Sequence, residues 1–223
     1  WVPAPMEGPP IDTPVRVAVT RSLPNTDIDP VISQAIDKAA GYLADAGYQV
    51  EEVSAPFTEE LFQLWISLLI SETKQLQGAV MQEMASDDFN HLFENLYAHT
   101  KFLDLDGYMR GLAKRTSLLR EWLLFLEKYP LVLAPLLLSP KYPIGFDICS
   151  VEETGKMLRT LFGSCSVNAL GLPAVTAPID LHEGVPHGVQ IIGQKYREDL
   201  CLDAAEEIEK RVGILPRQLW EKI

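Results

Sequence analysis

Cysteine is scarce in this chain: Cys149, Cys165 and Cys201 are an odd number, widely spaced, and no two form a Cys-x-x-Cys pair. That excludes a disulfide framework and a cysteine-based zinc site, and a reducing, cytoplasmic setting is the simplest expectation. Long apolar runs are missing too. The longest, residues 131–138, falls well short of the about 20 residues that cross a bilayer, and the first residues carry neither the basic nor the apolar region of a signal peptide. No membrane association is expected. Positive charge is in short supply, with 19 Lys and Arg against 31 Asp and Glu and a net charge of −12. Such a surface repels phosphate backbones, so nucleic acid is not an expected partner. The densest basic run, residues 110–120, spreads Arg110, Lys114, Arg115 and Arg120 over a predicted helix and reads as a solvated face. Glycine, finally, is absent from residues 20–27, where a nucleotide-binding crossover needs a glycine loop around a phosphate.

What is present is a folding composition. Hydrophobic residues make up 47% and charged residues 22%, outside the range of disordered chains, and a chain of this length buries roughly 70% of its unfolded surface. Residues 1–14 carry Pro3, Pro5, Pro9, Pro10 and Pro14 and start at Trp1 without Met. They read as a Pro-rich connector and as a mark of truncation or processing.

From residue 15 the pattern is regular. Residues 15–19 alternate as a strand. Asp29 and Pro30 suit a helix N-cap and first turn, and Ile32, Ala35, Ile36, Ala39, Leu43 and Ala46 form one apolar stripe that stops at Gly47. Residues 48–53 are the next strand, so the unit predicts a parallel crossover. Residues 58–128 are helical throughout, with three stripes and breaks near Ser86-Asp87-Asp88 and 104–107, and predict a three-helix inserted subdomain. Residues 131–138 are apolar on both faces, as in a strand buried between layers, with a bulge or end at Pro135. A loop over 139–150, one helix over 152–170, two adjacent strands and a helix over 198–212 complete the reading. The fold class is α/β, a mixed sheet with helices on both faces and the helical insert.

The sequence offers several candidate chemical groups, and each has a plainer reading. His182 and His187 are five residues apart with Gly184 and Pro186 between them, which breaks the helix a His-Glu-x-x-His zinc motif needs and leaves a turn between strands. His91 and His99 lie on a helix with no third ligand. Ser164 and Ser166 lack the exposed Gly-x-Ser-x-Gly turn and fall where the period predicts helix interior, so they read as packing residues. Cys165 and Cys201 fall on apolar stripes, where a thiol is inert.

The most specific segment is residues 168–193. Asn168-Ala-Leu-Gly171-Leu-Pro173-Ala174 opens an apolar strand ending at Pro178, and Gly184-Val-Pro186-His-Gly188-Val-Gln190-Ile-Ile-Gly193 opens a second that leads through Glu198 and Leu200 into a helix. Residue for residue this resembles the C-terminal end of the amidase signature family, and the order of elements upstream fits more loosely. The resemblance implies hydrolysis of a carboxylic amide by a Ser-Ser-Lys triad through an acyl-enzyme, with no metal or cofactor. That triad sits in a Gly/Ser-rich segment not found among these residues, so no catalytic residue is assigned and the chain alone is expected to be inactive. The implied partners are a small-molecule amide in the complete enzyme and the missing N-terminal half, or self-association of the fragment. A stand-alone, non-catalytic binding module on the same scaffold is the alternative. The matched residues themselves read as scaffold: Gly171 and Gly188 for positive φ or close approach, Pro173 and Pro186 at strand entries, Gln190 bonding backbone across strands, Asn168 capping a helix end. Residues expected to line the substrate side are Phe62, Trp65 and Leu69 on the first helix of the insert and Leu136, Leu137 and Tyr142 after the buried strand.

Overall fold

The computed structural model describes residue 8, residues 10–139 and residues 142–220. Most of the expected connector, residues 1–7 and 9, and residues 140–141 of the expected loop lie outside the described residues. In chain order the elements are β1 (Arg16–Val19), α1 (Pro30–Asp45), β2 (Gln49–Glu52), α2 (Glu59–Met84), α3 (Asp87–Ala98), α4 (Leu105–Leu126), β3 (Leu131–Pro135), α5 (Val151–Thr160), α6 (Phe162–Leu170), β4 (Ala174–His182), β5 (Val185–Gly193), α7 (Glu198–Val212) and α8 (Leu215–Trp220).

Helix starts follow the side chains that can satisfy free N–H groups. Asp29 accepts from the Val31 amide at 2.8 Å with Pro30 in the first turn, and Thr58, Ser86, Asp104 and Ser150 cap α2, α3, α4 and α5 in the same way. The insert is therefore three helices, as its polar breaks imply. It is anchored where Trp122 donates to the Pro56 carbonyl at 3.0 Å and meets Phe57 edge-on at 4.8 Å.

The sheet order is β2-β1-β3-β5-β4. β1 is parallel to β2 and β3, while β5 is antiparallel to β3 and β4. Successive side chains on a strand point to opposite faces, so a strand covered on both sides must be apolar throughout, and all of β3 is buried. Val17, Val19, Leu131, Leu133 and Ile191 pack on one face against α1 and α7. Ala18, Val132, Ala134 and Ile192 pack on the other against α2, α4 and α6. The fold is thus α/β with a mixed sheet between two helical layers.

Some local expectations change. The single helix over 152–170 is two, α5 and α6, separated at Leu161. The cause is a competing donor: the Thr160 carbonyl accepts from the Leu138 amide at 3.1 Å, which takes it out of the helical ladder. The apolar run 131–138 pairs only as far as Pro135, and Leu138 instead bonds Thr160 and Asp29. At the end of α6 the free carbonyls of Val167 and Asn168 accept from Gly171, whose φ of 65° is left-handed, and that of Ala169 accepts from Arg115. Arg115 and the backbone of Gly171 make the cap expected of the Asn168 side chain. A short helix, α8, follows α7 where no element was expected.

Candidate functional site

Because β1, β2 and β3 are parallel, their carboxyl ends emerge on one side of the sheet, where open α/β sheets place ligands. The loops that follow them are stitched together there. Thr20, fully buried just beyond β1, accepts from the Ala55 amide at 2.9 Å and donates to the Val53 carbonyl at 3.3 Å. Its own amide donates to Leu133 at 2.9 Å, and the Asp29 amide donates to Leu138, also at 2.9 Å.

The core behind this end holds a buried aromatic pair. Phe62 of α2 stacks on Phe162 of α6 with centroids 4.8 Å apart, and the Arg159 guanidinium lies 5.4 and 5.2 Å from the two rings. Arg159 is held in place by Glu59, which accepts from it at 2.9 and 2.7 Å. The same contact holds the Glu59 carboxyl below its ordinary range, the charged form being the better acceptor. Ser164 donates to the Leu136 carbonyl at 2.5 Å and so ties α6 to the segment after β3.

A cavity of about 150 Å³ sits beside this segment, lined by Leu136, Leu137, Ile32, Thr176, Pro178 and His187 among others. His187 Nδ1 is buried without a hydrogen-bond partner, and burial pulls its imidazole below its ordinary pKa. The cavity is apolar on most sides, and a space of this size accepts a benzene-sized ring.

The residues expected on the substrate side divide. Phe62 is buried in the main core against Phe162, and Leu136 and Leu137 line the cavity. Trp65 is half-buried against the main core one turn along α2. Leu69 is 43% exposed further out on the same helix. Tyr142 packs at a tilt against Phe146, centroids 4.5 Å apart, in the loop after β3.

The nucleophile candidates have structural partners. Ser166 is buried and donates to the Phe162 carbonyl at 2.7 Å, as Ser164 does to Leu136. The Cys165 and Cys201 thiols are pushed up to about 12 by burial, which keeps them protonated. His182 and His187 flank the turn of the β4–β5 hairpin, paired with Val185 and Asp180. Among the described residues no group of three or more His, Cys, Asp and Glu could hold a metal ion, and no helix is long and apolar enough to cross a membrane. Sequence reasoning missed Thr20 and the Arg159–Glu59 pair, and placed His187 only in a turn between strands. Only Thr20 had a legible signal, a hydroxyl placed directly after a strand.

A family model described as Amidase matches residues 8–202. An indoleacetamide hydrolase from Bradyrhizobium diazoefficiens is 40% identical over 222 residues, covering 99% of this chain and 42% of that protein. A second indoleacetamide hydrolase, from Bradyrhizobium japonicum, is 39% identical over 222 residues, covering 99% of this chain and 48% of that protein. Among solved structures, a 6-aminohexanoate cyclic dimer hydrolase superposes with a TM-score of 0.74 at 21% identity, covering 92% of this chain and 47% of that one. The chain spans less than half the length of the relatives it matches.

Proposed function

This chain belongs to the amidase family, and we propose that it is the C-terminal part of a domain that hydrolyses carboxylic amides through a serine acyl-enzyme. In such a reaction a serine oxygen attacks the carbonyl, the C–N bond breaks, the amine leaves with a proton, and water releases the acid. The observation that carries the reading is the 40% identity to an indoleacetamide hydrolase across 99% of these residues. That relative's name makes an aryl-substituted acetamide the proposed substrate class. The cavity beside Leu136 and Leu137 supports it, since it suits a flat apolar ring.

Division of labour follows from the side chains. The Gly/Ser-rich segment that would carry the nucleophile is not among these residues, and Ser164 and Ser166 donate to backbone carbonyls; the reading places the nucleophile and its base in the remainder of the domain. These residues contribute scaffold and part of the substrate wall, and by themselves turn over no amide. Free thiols at Cys149, Cys165 and Cys201 accord with a cytoplasmic setting.

The test is ammonia release from indole-3-acetamide, measured on this chain and on the longest polypeptide its natural reading frame encodes. Release by the longer polypeptide alone is expected. Turnover by the 223-residue chain would return Ser164 to consideration, and a longer polypeptide that spares every aryl and alkyl amide offered sinks the reading.

A further inference from the structure

His187 stands on β5 between two unlike spaces. On one side lies the apolar cavity of about 150 Å³, lined also by Ile32, Leu136, Leu137, Pro178 and Pro186. On the other lies a polar cleft of about 190 Å³, which holds Gln34, Lys38, Asp180 and His182. The ladder fixes this position. Asp180 pairs with His187 across the hairpin, just past an irregularity between Pro178 and Asp180, and Lys38 of α1 donates to the Asp180 carboxylate at 2.7 Å.

Of the two ring nitrogens only Nδ1 is buried without a hydrogen-bond partner. The Val185 carbonyl lies near the ring and closes no bond to that atom. Buried polar atoms are nearly always paired, so an orphan beside a ligand-sized space marks a bonding position. Desolvation holds the imidazole below its ordinary pKa against the pull of the Asp180 carboxylate. The ring is therefore neutral near pH 7, with one N–H and one lone pair. Nε2 is not shut off in the way Nδ1 is, so the proton sits on Nε2 and the lone pair on Nδ1.

We propose that His187 determines specificity: Nδ1 accepts a hydrogen bond from the ring N–H of an aryl-substituted acetamide whose ring fills the apolar cavity. This step rests on the function proposed above, which puts an aryl ring here. The chemistry selects the donor. A carbocyclic ring of equal size covers the apolar walls and leaves Nδ1 unpaired, whereas a heterocycle with one N–H satisfies walls and nitrogen together. Indole carries one such N–H. A site that bonds a substrate N–H rejects the analogue lacking it more strongly than an apolar pocket rejects a change of size.

Ammonia release by the longest polypeptide of the natural reading frame tests the proposal, with indole-3-acetamide set against benzofuran-3-acetamide, a ring of the same shape without the N–H. The unaltered protein is expected to favour the indole by about tenfold to a hundredfold in kcat/KM, the worth of one buried neutral hydrogen bond. His187→Phe keeps an aromatic ring and removes the acceptor, and is expected to abolish the preference. His187→Asn, whose side-chain oxygen can stand where Nδ1 does, is expected to keep most of it. Histidine-selective nitrogen NMR on the unaltered polypeptide needs no variant: indole is expected to move the Nδ1 resonance of His187, and benzofuran to leave it in place. Equal kcat/KM for the two amides, a preference that survives in His187→Phe, or a resonance that indole leaves unmoved overturns the proposal. Hydrolysis of both amides at equal kcat/KM sinks the role of His187 only. A resonance moved by indole in a polypeptide that hydrolyses neither amide supports the ring site and sinks the amidase reading only.

Discussion

Gln190 donates from Nε2 to the carbonyl of Pro135 at 2.9 Å, with both residues buried. Odd residues of β3 turn their carbonyls toward β1, as Leu133 does to Thr20, and β1 has ended by the level of Pro135. The glutamine side chain replaces the missing strand.

Gln190→Leu keeps the volume and leaves that carbonyl buried without a donor. The expected loss is about 1–3 kcal/mol, read as a lower urea midpoint with an unchanged slope. No shift in the midpoint would mean that water replaces the amide.

Gly188→Ala should be destabilising, because its Cβ would stand 2.3 Å from the Ala177 carbonyl oxygen, a backbone atom that moves only if the hairpin opens. A cost of about 1–3 kcal/mol is expected. Gly41→Ala is the opposite case: nothing lies within 4 Å of its Cβ position on α1, so a gain of about 0.5–1 kcal/mol is expected. Thermal unfolding of the two variants should move in opposite directions.

The Asp199 carboxyl is held down at about 2, chiefly by its hydrogen bonds from Arg197. Its ordinary value is about 3.9. The folded state therefore binds this proton less readily than the unfolded state, and the stabilisation is complete above the ordinary value and lost as pH falls toward the folded one. Asp199→Asn should flatten the acid limb of the stability curve in that window and leave its slope near neutral pH unchanged.

Thiol labelling should be selective. Cys149 is exposed, whereas Cys165 and Cys201 are buried with thiols pushed up to about 12. N-ethylmaleimide at neutral pH is expected to modify Cys149 in the folded chain and all three cysteines after denaturation, counted by intact mass. Fast labelling of Cys201 in the native chain would contradict the packing of α7 on β4.

Stability should depend on the buried aromatic pair. Phe62→Leu retains an apolar core residue but loses the stack on Phe162 at 4.8 Å. The expected cost is about 0.5–1.5 kcal/mol beyond the change in buried area, read as a lower urea midpoint. An unchanged midpoint would mean that the core repacks around leucine without loss.

Elements with a local cause are legible in the order of residues alone. Asp29-Pro30, Ser86 and Asp104 announce helix starts because a short oxygen-bearing side chain satisfies an amide two or three residues ahead. The unbroken apolar run of β3 implies cover on both faces, and Gly188 implies close backbone approach. The break at Leu161 is not legible in this way, since the donor that causes it, Leu138, is far away along the chain.

The sequence by itself determined the class, most of the strand and helix order, and, through residues 168–193, the family, because turns, caps and packing glycines are written in nearest-neighbour chemistry. Tertiary structure alone decided that Arg159 meets Glu59 across 100 residues, that Phe62 meets Phe162, and that β2 and β4 form the two edges of the sheet. Those outcomes depend on which strand pairs with which and on where each helix lands. No local pattern encodes these partners, because they lie far apart along the chain and meet only when the elements pack.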